Sequence, residues 1–348
     1  MSNREAAGLP IIDIGPYLDP AADESARQDV SSALHAACLK YGFFYLDISK
    51  FVDKSEPEDL TQLARKFFAL PQEDKDKISI KHQDFARGYQ RLQENVTGGK
   101  ADNHEGIDFY KPVELPDKSK PLWGENQWPD VPGFKEKYDA WVAKMKNLGM
   151  IVMEAMAIGL GMAKDEWEAL KHEVDDSFWV MRIIGYPPLP NDYDGFSCGA
   201  HKDYGCLTFL YADPTKSALQ VFVKQPGARP SQTNGLPTEN GAEDGVWIDA
   251  DPIPGCVVCN IGEMWEIWTQ GLYKSTLHRV VHRGSNYRIP FFFEPNFSAN
   301  VTPLPAALRI IEKNRSLETK EYAPVKYGDF LLRKVTNNFA VDGKGRYD

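Results

Sequence analysis

The sequence predicts an α+β fold with a mainly β core, a sandwich or jelly-roll barrel faced by helices. Two observations carry this. After Ser177, short β-rich runs follow one another at 178–186, 207–212, 219–223, 246–248, 257–260, 276–281 and 288–293. Gly and Pro bound them, the pattern of closely spaced strands in a sandwich or barrel rather than of a βαβ sheet. Ahead of Ser177, apolar residues recur mostly at helical spacing.

In chain order, Leu9-Pro10-Ile11-Ile12-Asp13-Ile14 reads as a strand, 25–41 as a helix and Gly42-Phe43-Phe44-Tyr45-Leu46 as a second strand. Ser55-Glu56-Pro57-Glu58 combines a cap with an early proline and starts a helix that stops before Pro71. Residues 84–128 are rich in Gly, Asn, Asp and Lys and read as irregular. Between 132 and 162, Tyr138, Trp141, Met145, Leu148 and Val152 form the apolar stripe of a long helix that backs a sheet. The 224–244 segment has no periodicity and reads as a surface insertion, and a last helix is expected over 326–337. With no repeats and no separating linker, 1–348 reads as one domain. It comprises an N-terminal layer (1–176), a β core (177–300) and a C-terminal helical segment (301–348).

A net charge of −10 and a pI near 5.3 argue against a nucleic-acid or anionic-membrane surface, since either would need a basic face. The polar start MSNREAAGLP has no apolar signal core, and no run of about 18 apolar residues follows. Five cysteines in 348 residues fit a reducing compartment. A cytoplasmic monomer acting on a small molecule is the expectation.

Two of the seven histidines sit where chemistry is expected. His201-Lys202-Asp203 puts an imidazole and a carboxylate two apart, and in an extended strand these project from one face. His278 lies on a later strand. Two His and one carboxylate leave three metal positions open, which suits iron(II) that must bind O₂ and a chelating acid together. A lone His-x-Asp is weak, so the flanks decide.

Those flanks are His201-Lys202-Asp203-Tyr204-Gly205, Leu219-Gln220-Val221, Asn260-Ile261-Gly262-Glu263 and 268–280 (WTQGLYKSTLHRV). Together with Pro10–Ile14, Tyr41-Gly42-Phe43-Phe44, Arg87-Gly88-Tyr89 and Glu105-Gly106-Ile107-Asp108-Phe109, they resemble the isopenicillin-N-synthase-like iron(II) and 2-oxoglutarate-dependent dioxygenases over nearly the whole chain. The resemblance implies a double-stranded β-helix, cupin-like, with an N-terminal helical layer. It implies His201, Asp203 and His278 as ligands of Fe(2+), with 2-oxoglutarate and O₂ as co-substrates. Oxidation of a small organic molecule by hydroxylation, desaturation or ring formation, with release of succinate and CO₂, would follow, as in much secondary metabolism.

One motif departs from the family. Its Arg-x-Ser pair holds the distal carboxylate of 2-oxoglutarate about ten residues past the second His. Arg288 stands at that distance, but Ile289 and Pro290 follow it. Counting back from Pro290-Phe291-Phe292-Phe293-Glu294-Pro295-Asn296 instead puts Asn286 where Arg is expected. A two-residue deletion keeps every side chain on its face, so Arg288 remains the expected anchor. Tyr186 matches a family tyrosine that bonds the keto acid, and Arg182, on the same strand face, is a candidate second cation. An iron oxidase using no 2-oxoglutarate and a non-catalytic protein with a decayed co-substrate site stay open as alternatives.

Family substrates enter above the iron, which nominates Tyr89, Arg91, Thr97, Phe109, Tyr204, Phe222, Phe330, Leu331 and Val335. Val96-Thr97-Gly98-Gly99-Lys100 resembles an arginine-binding stretch of bacterial ethylene-forming enzymes. The acidic residue preceding that stretch is Asn95 here, so arginine binding is not implied by it. Cys256 and Cys259 sit on opposite strand faces and are expected neither to pair nor to chelate. His282 reads as a half-exposed strand residue or a support for His278. His35, His82, His104 and His172 have no evident partner.

Overall fold

The computed structural model describes residues 5–6, 8–97, 100–189, 195–224, 245–317 and 319–337. The expected insertion beyond Lys224 (225–244) and Gly98-Gly99 lie outside them.

Two sheets build the core. The larger runs Glu5–Ala6, Leu9–Asp13, Phe43–Asp47, Cys256–Ile261, Leu207–Ala212, Asn286–Phe293, Val180–Tyr186, Glu105–Tyr110, Gly88–Gln90. The smaller runs Val246–Asp249, Leu219–Val223, His278–Val281, Phe196–His201. From Val180 onward the chain steps between the sheets, with antiparallel pairing throughout, which is the winding of a double-stranded β-helix.

Strand alternation separates core from site. On Asn286–Phe293, Ile289, Phe291 and Phe293 point into the main apolar core, with Leu207 and Phe209 of the neighbouring strand. Arg288, Pro290 and Phe292, with Thr208 and Leu210, line a cavity on the opposite face. Helices Glu24–Lys40, Ser55–Phe68 and Phe134–Gly159 cover the core face through Leu34, Leu63, Phe67, Met145, Leu148 and Val152. Each fully buried Leu or Phe there contributes about 1.5–3 kcal/mol. The long helix approaches closely because Gly149 carries no side chain: a Cβ there would lie 2.2 Å from the Phe293 ring.

Several expectations are corrected. The 84–128 stretch holds Glu105–Tyr110, a full strand of the larger sheet, whose Gly and Asp mask its β pattern. Phe196–His201 is also a strand, although its Ser, Cys and Gly give no such signal. Helices Lys164–Lys171, Glu263–Trp268 and Pro305–Lys313 were not expected, and the last helix spans Tyr327–Asn337. Pro290 sits in a central strand. Toward Leu207–Ala212 the ladder is continuous; toward Val180–Tyr186 pairing skips Ile289 and Pro290 and resumes at Phe291↔Met181 in the same register. Cys256 and Cys259 are both free.

Candidate metal and co-substrate site

His201 closes its strand and lies directly opposite His278, with ring centroids 4.2 Å apart. Asp203 stands just past the strand end rather than on it. Its loop is fixed where Glu263 N–H donates to the Asp203 carbonyl (2.9 Å) and the Ser275 hydroxyl does likewise (3.2 Å). Asp203 Oδ1 is 3.8 Å from His201 Nε2 and 3.6 Å from His278 Nε2, and one ligand atom from each residue falls within a 4.8 Å cluster.

The remaining polar atoms of the three residues are engaged. His201 Nδ1 donates to the Gly199 carbonyl (2.9 Å) and His278 Nδ1 to the Thr276 carbonyl (3.1 Å), which leaves both Nε2 lone pairs facing the carboxylate. Asp203 Oδ2 accepts from Thr208 Oγ1 (2.5 Å) and Asn260 Nδ2 (2.7 Å). Burial opposes the charge on Asp203, yet the two imidazoles and these donors hold its carboxyl below the ordinary range. Burial and the facing His201 push His278 down to about 4. At His201 burial is outweighed by Cys198 and Asp203, and the pKa rises to about 10. The cluster offers the N,N,O donor set that suits iron(II), and a bound cation would take the place of the proton on His201.

Beside it lies a cavity of about 90 Å³ lined by His201, Asp203, His278, Tyr186, Arg182 and Arg288. Arg288 is buried, its guanidinium stands 5.6 Å from the Tyr186 ring centre, and Nε and Nη1 have no partner among the described residues. A buried guanidinium without acceptors is costly unless a ligand supplies them. Asn286, the rival anchor, is buried opposite Tyr186 and donates to the Gly284 carbonyl (3.3 Å). Arg182 also lines the cavity, but its Nε is tied to Asp108 (2.7 Å), and that carboxylate raises its pKa against burial. Burial raises the Tyr186 hydroxyl as well.

Adjoining the metal cluster, a chamber that shares His201, Asp203 and Arg182 with this cavity is lined by Thr97, Tyr204 and Leu331, with Asp108, Glu294 and Tyr327. The other nominees lie elsewhere. Tyr89 is in the core, bonded to Glu105; Arg91 is exposed and paired with Asp76; Phe109 stacks on Trp128. Phe222 packs on Trp247 in a separate cleft, and Phe330 and Val335 pack against the core.

Sequence reasoning passed over several residues here. Thr208 and Asn260 are polar positions in otherwise apolar strands, which was the available signal. Glu294 is buried in the chamber wall, and burial pushes its carboxyl up to about 8. His104 is buried on the cavity wall. His35 finds a partner in the Tyr273 hydroxyl (2.6 Å). His282 is buried, not half-exposed, and its Nδ1 meets Ser197 Oγ (2.9 Å).

Known proteins carry the same architecture. A family profile described as the non-haem dioxygenase in morphine synthesis N-terminal region matches residues 9–131, and that of the 2OG-Fe(II) oxygenase superfamily matches 176–295. Homoarginine-6-hydroxylase 2-ODD-233 of Oryza sativa subsp. japonica is 37% identical, covering 96% of this chain and 98% of that protein. Homoarginine-6-hydroxylase 2-ODD-C23 of Glycine max is 38% identical with the same coverage. The crystal structure of a full-length Neurospora crassa protein in complex with alpha-KG and 5-formyluracil superposes with a TM-score of 0.73, at 24% identity over 95% of this chain and 98% of that one. No helix among the described residues is long and apolar enough to cross a membrane. With both halves of the chain matched and relatives aligned end to end, this chain belongs to the 2OG-Fe(II) oxygenase superfamily and is an Fe(II)/2-oxoglutarate-dependent dioxygenase that oxidises a small organic molecule.

Proposed function

We propose that His201, Asp203 and His278 hold the iron(II), that Arg288 takes the distal carboxylate of 2-oxoglutarate beside Tyr186 and Arg182, and that the prime substrate is a basic amino acid bearing a guanidinium group. One observation carries the assignment: a single cavity brings together three convergent ligand atoms and a buried arginine whose Nε and Nη1 have no acceptor among the described residues. The bound metal supplies O₂ activation coupled to decarboxylation of the keto acid to succinate and CO₂.

The chain's own residues fix the geometry. Backbone carbonyls at Gly199 and Thr276 set the tautomer and direction of the imidazoles, while Thr208 and Asn260 reserve Asp203 Oδ1 for the metal. Leu210, Leu219, Val280 and Phe292 keep the cavity dry, which strengthens each polar contact inside. The homoarginine-6-hydroxylase relatives support a guanidino substrate, and Thr97, Tyr204 and Leu331 line the chamber that would receive it. The acidic net charge supports work away from nucleic acid, and the free cysteines support a reducing compartment such as the cytoplasm.

The test is anaerobic. Iron(II) plus 2-oxoglutarate should give a weak visible charge-transfer band that Arg288→Gln weakens and His201→Ala abolishes. On admitting O₂, homoarginine or arginine should accelerate succinate release. A band unchanged in Arg288→Gln would overturn the anchor. Succinate release indifferent to every guanidino amino acid would overturn the substrate class.

A further inference from the structure

We propose that His104 supplies the second donor to the distal carboxylate of 2-oxoglutarate, replacing the hydroxyl that Pro290 cannot provide. This rests on the reading of Arg288 as the carboxylate anchor.

Three observations converge on it. Pro290 lines the same cavity as Arg288, two residues along one strand face, so a serine there would have pointed its hydroxyl into that space. A proline brings neither a side-chain nor a backbone donor. His104 reaches the cavity from the neighbouring segment, 3% exposed, and its Nε2 is buried with no partner among the described residues. Arg288 and His104 flank one ring: the guanidinium lies 5.6 Å from the Tyr186 centroid, and the imidazole meets it edge-on at 5.7 Å. Both side chains, each with buried atoms that lack partners among the described residues, therefore line one cavity beside Tyr186.

The imidazole is held in place. Asn103 N–H donates to the Ser197 carbonyl (3.1 Å), Asn103 Nδ2 donates to the Phe196 carbonyl (3.2 Å), and Glu105 pairs with Gly185. Burial, reinforced by Arg182, lowers the His104 pKa to about 3, so the ring is neutral and works as a hydroxyl would, with one hydrogen. Its Nδ1 lies 3.4 Å from the Ser197 carbonyl, a long contact. Moving the hydrogen to Nε2 gives up little there and gains a charge-assisted bond once a carboxylate arrives.

The experiment titrates the anaerobic iron(II) protein with 2-oxoglutarate and with 2-oxobutanoate, which lacks the distal carboxylate, reading the charge-transfer band. His104→Ala should weaken 2-oxoglutarate binding roughly ten-fold or more, the usual loss of a hydrogen bond to a charged group. It should leave iron(II) affinity and 2-oxobutanoate binding unchanged. His104→Gln, which keeps a donor, should recover part of the loss, and adding Pro290→Ser to His104→Ala should recover more. An unchanged 2-oxoglutarate affinity in His104→Ala, or an equal loss for both keto acids, overturns the proposal. If Arg288→Gln itself leaves 2-oxoglutarate binding intact, the anchor reading fails and His104 falls with it.

Discussion

Asn260 and Thr208 stand directly opposite one another on adjacent strands, and both donate to the same oxygen of Asp203, at 2.7 and 2.5 Å. The pair fixes which carboxylate oxygen faces the two imidazoles. Replacing either donor should leave the fold intact but let the carboxylate rotate. Asn260→Ala and Thr208→Val should each weaken iron(II) binding roughly 10- to 100-fold. Competition with a calibrated chelator measures this, and affinity equal to the unaltered protein would remove both residues from the site's support.

Arg182 and Asp108 form a second supporting pair, largely buried, with Gln90 completing the carboxylate's bonds (2.9 Å). Asp108→Ala would leave a guanidinium without its counter-charge in the chamber wall. A loss of about 3–5 kcal/mol is expected, as for other buried pairs broken on one side. Denaturant unfolding reads it. The double variant Asp108→Ala/Arg182→Met should recover much of the loss, because the unpaired charge then disappears too.

Glu294 should make stability depend on pH. Its carboxyl ordinarily titrates near 4.5 and is raised to about 8 by burial. Between those values the unfolded chain has lost the proton that the folded chain still holds, so stability falls as pH rises and the loss is complete above about 8. Glu294→Gln has no proton to lose. Its Tm relative to the unaltered protein should therefore climb by several degrees from pH 5 to pH 8.5; a difference independent of pH would mean that Glu294 is ionised in the fold.

Much of this was legible in the sequence for physical reasons. Strands 207–212 and 219–223 are short apolar and aromatic runs that were bounded to the residue, and the metal triad stood out because histidines are few. Glu105–Tyr110 was missed because a strand clamped between neighbours can carry Gly106 and Asp108 that an isolated strand would disfavour. Asn260 and His104 meet partners 57 and 93 residues away, at Asp203 and Ser197, and no local pattern names those partners, although a polar residue in an apolar strand marks Asn260, as it does Thr208, as unusual. The substrate nominees scattered for the same reason: Phe109 and Val335 are apolar residues whose destination, core or chamber, depends on packing alone.

Gly149 offers a prediction in which the sign is the test. In a helix interior Ala normally stabilises relative to Gly by about 1 kcal/mol. Here a Cβ would lie 2.2–2.6 Å from three atoms of the Phe293 ring, itself 1% exposed in the main core. Neither partner can yield cheaply, since Phe293 ends the strand that carries Arg288. Gly149→Ala should therefore destabilise by about 1–3 kcal/mol, the usual cost of overpacking. It should also weaken 2-oxoglutarate binding, because a shift at Phe293 displaces Phe292 in the cavity wall. Trimming the ring should relieve the clash, so Gly149→Ala/Phe293→Leu should cost less than the two single changes summed. Urea unfolding midpoints of the three variants decide it: a Gly149→Ala protein more stable than its parent would mean that the helix stands farther from the sheet than these distances allow.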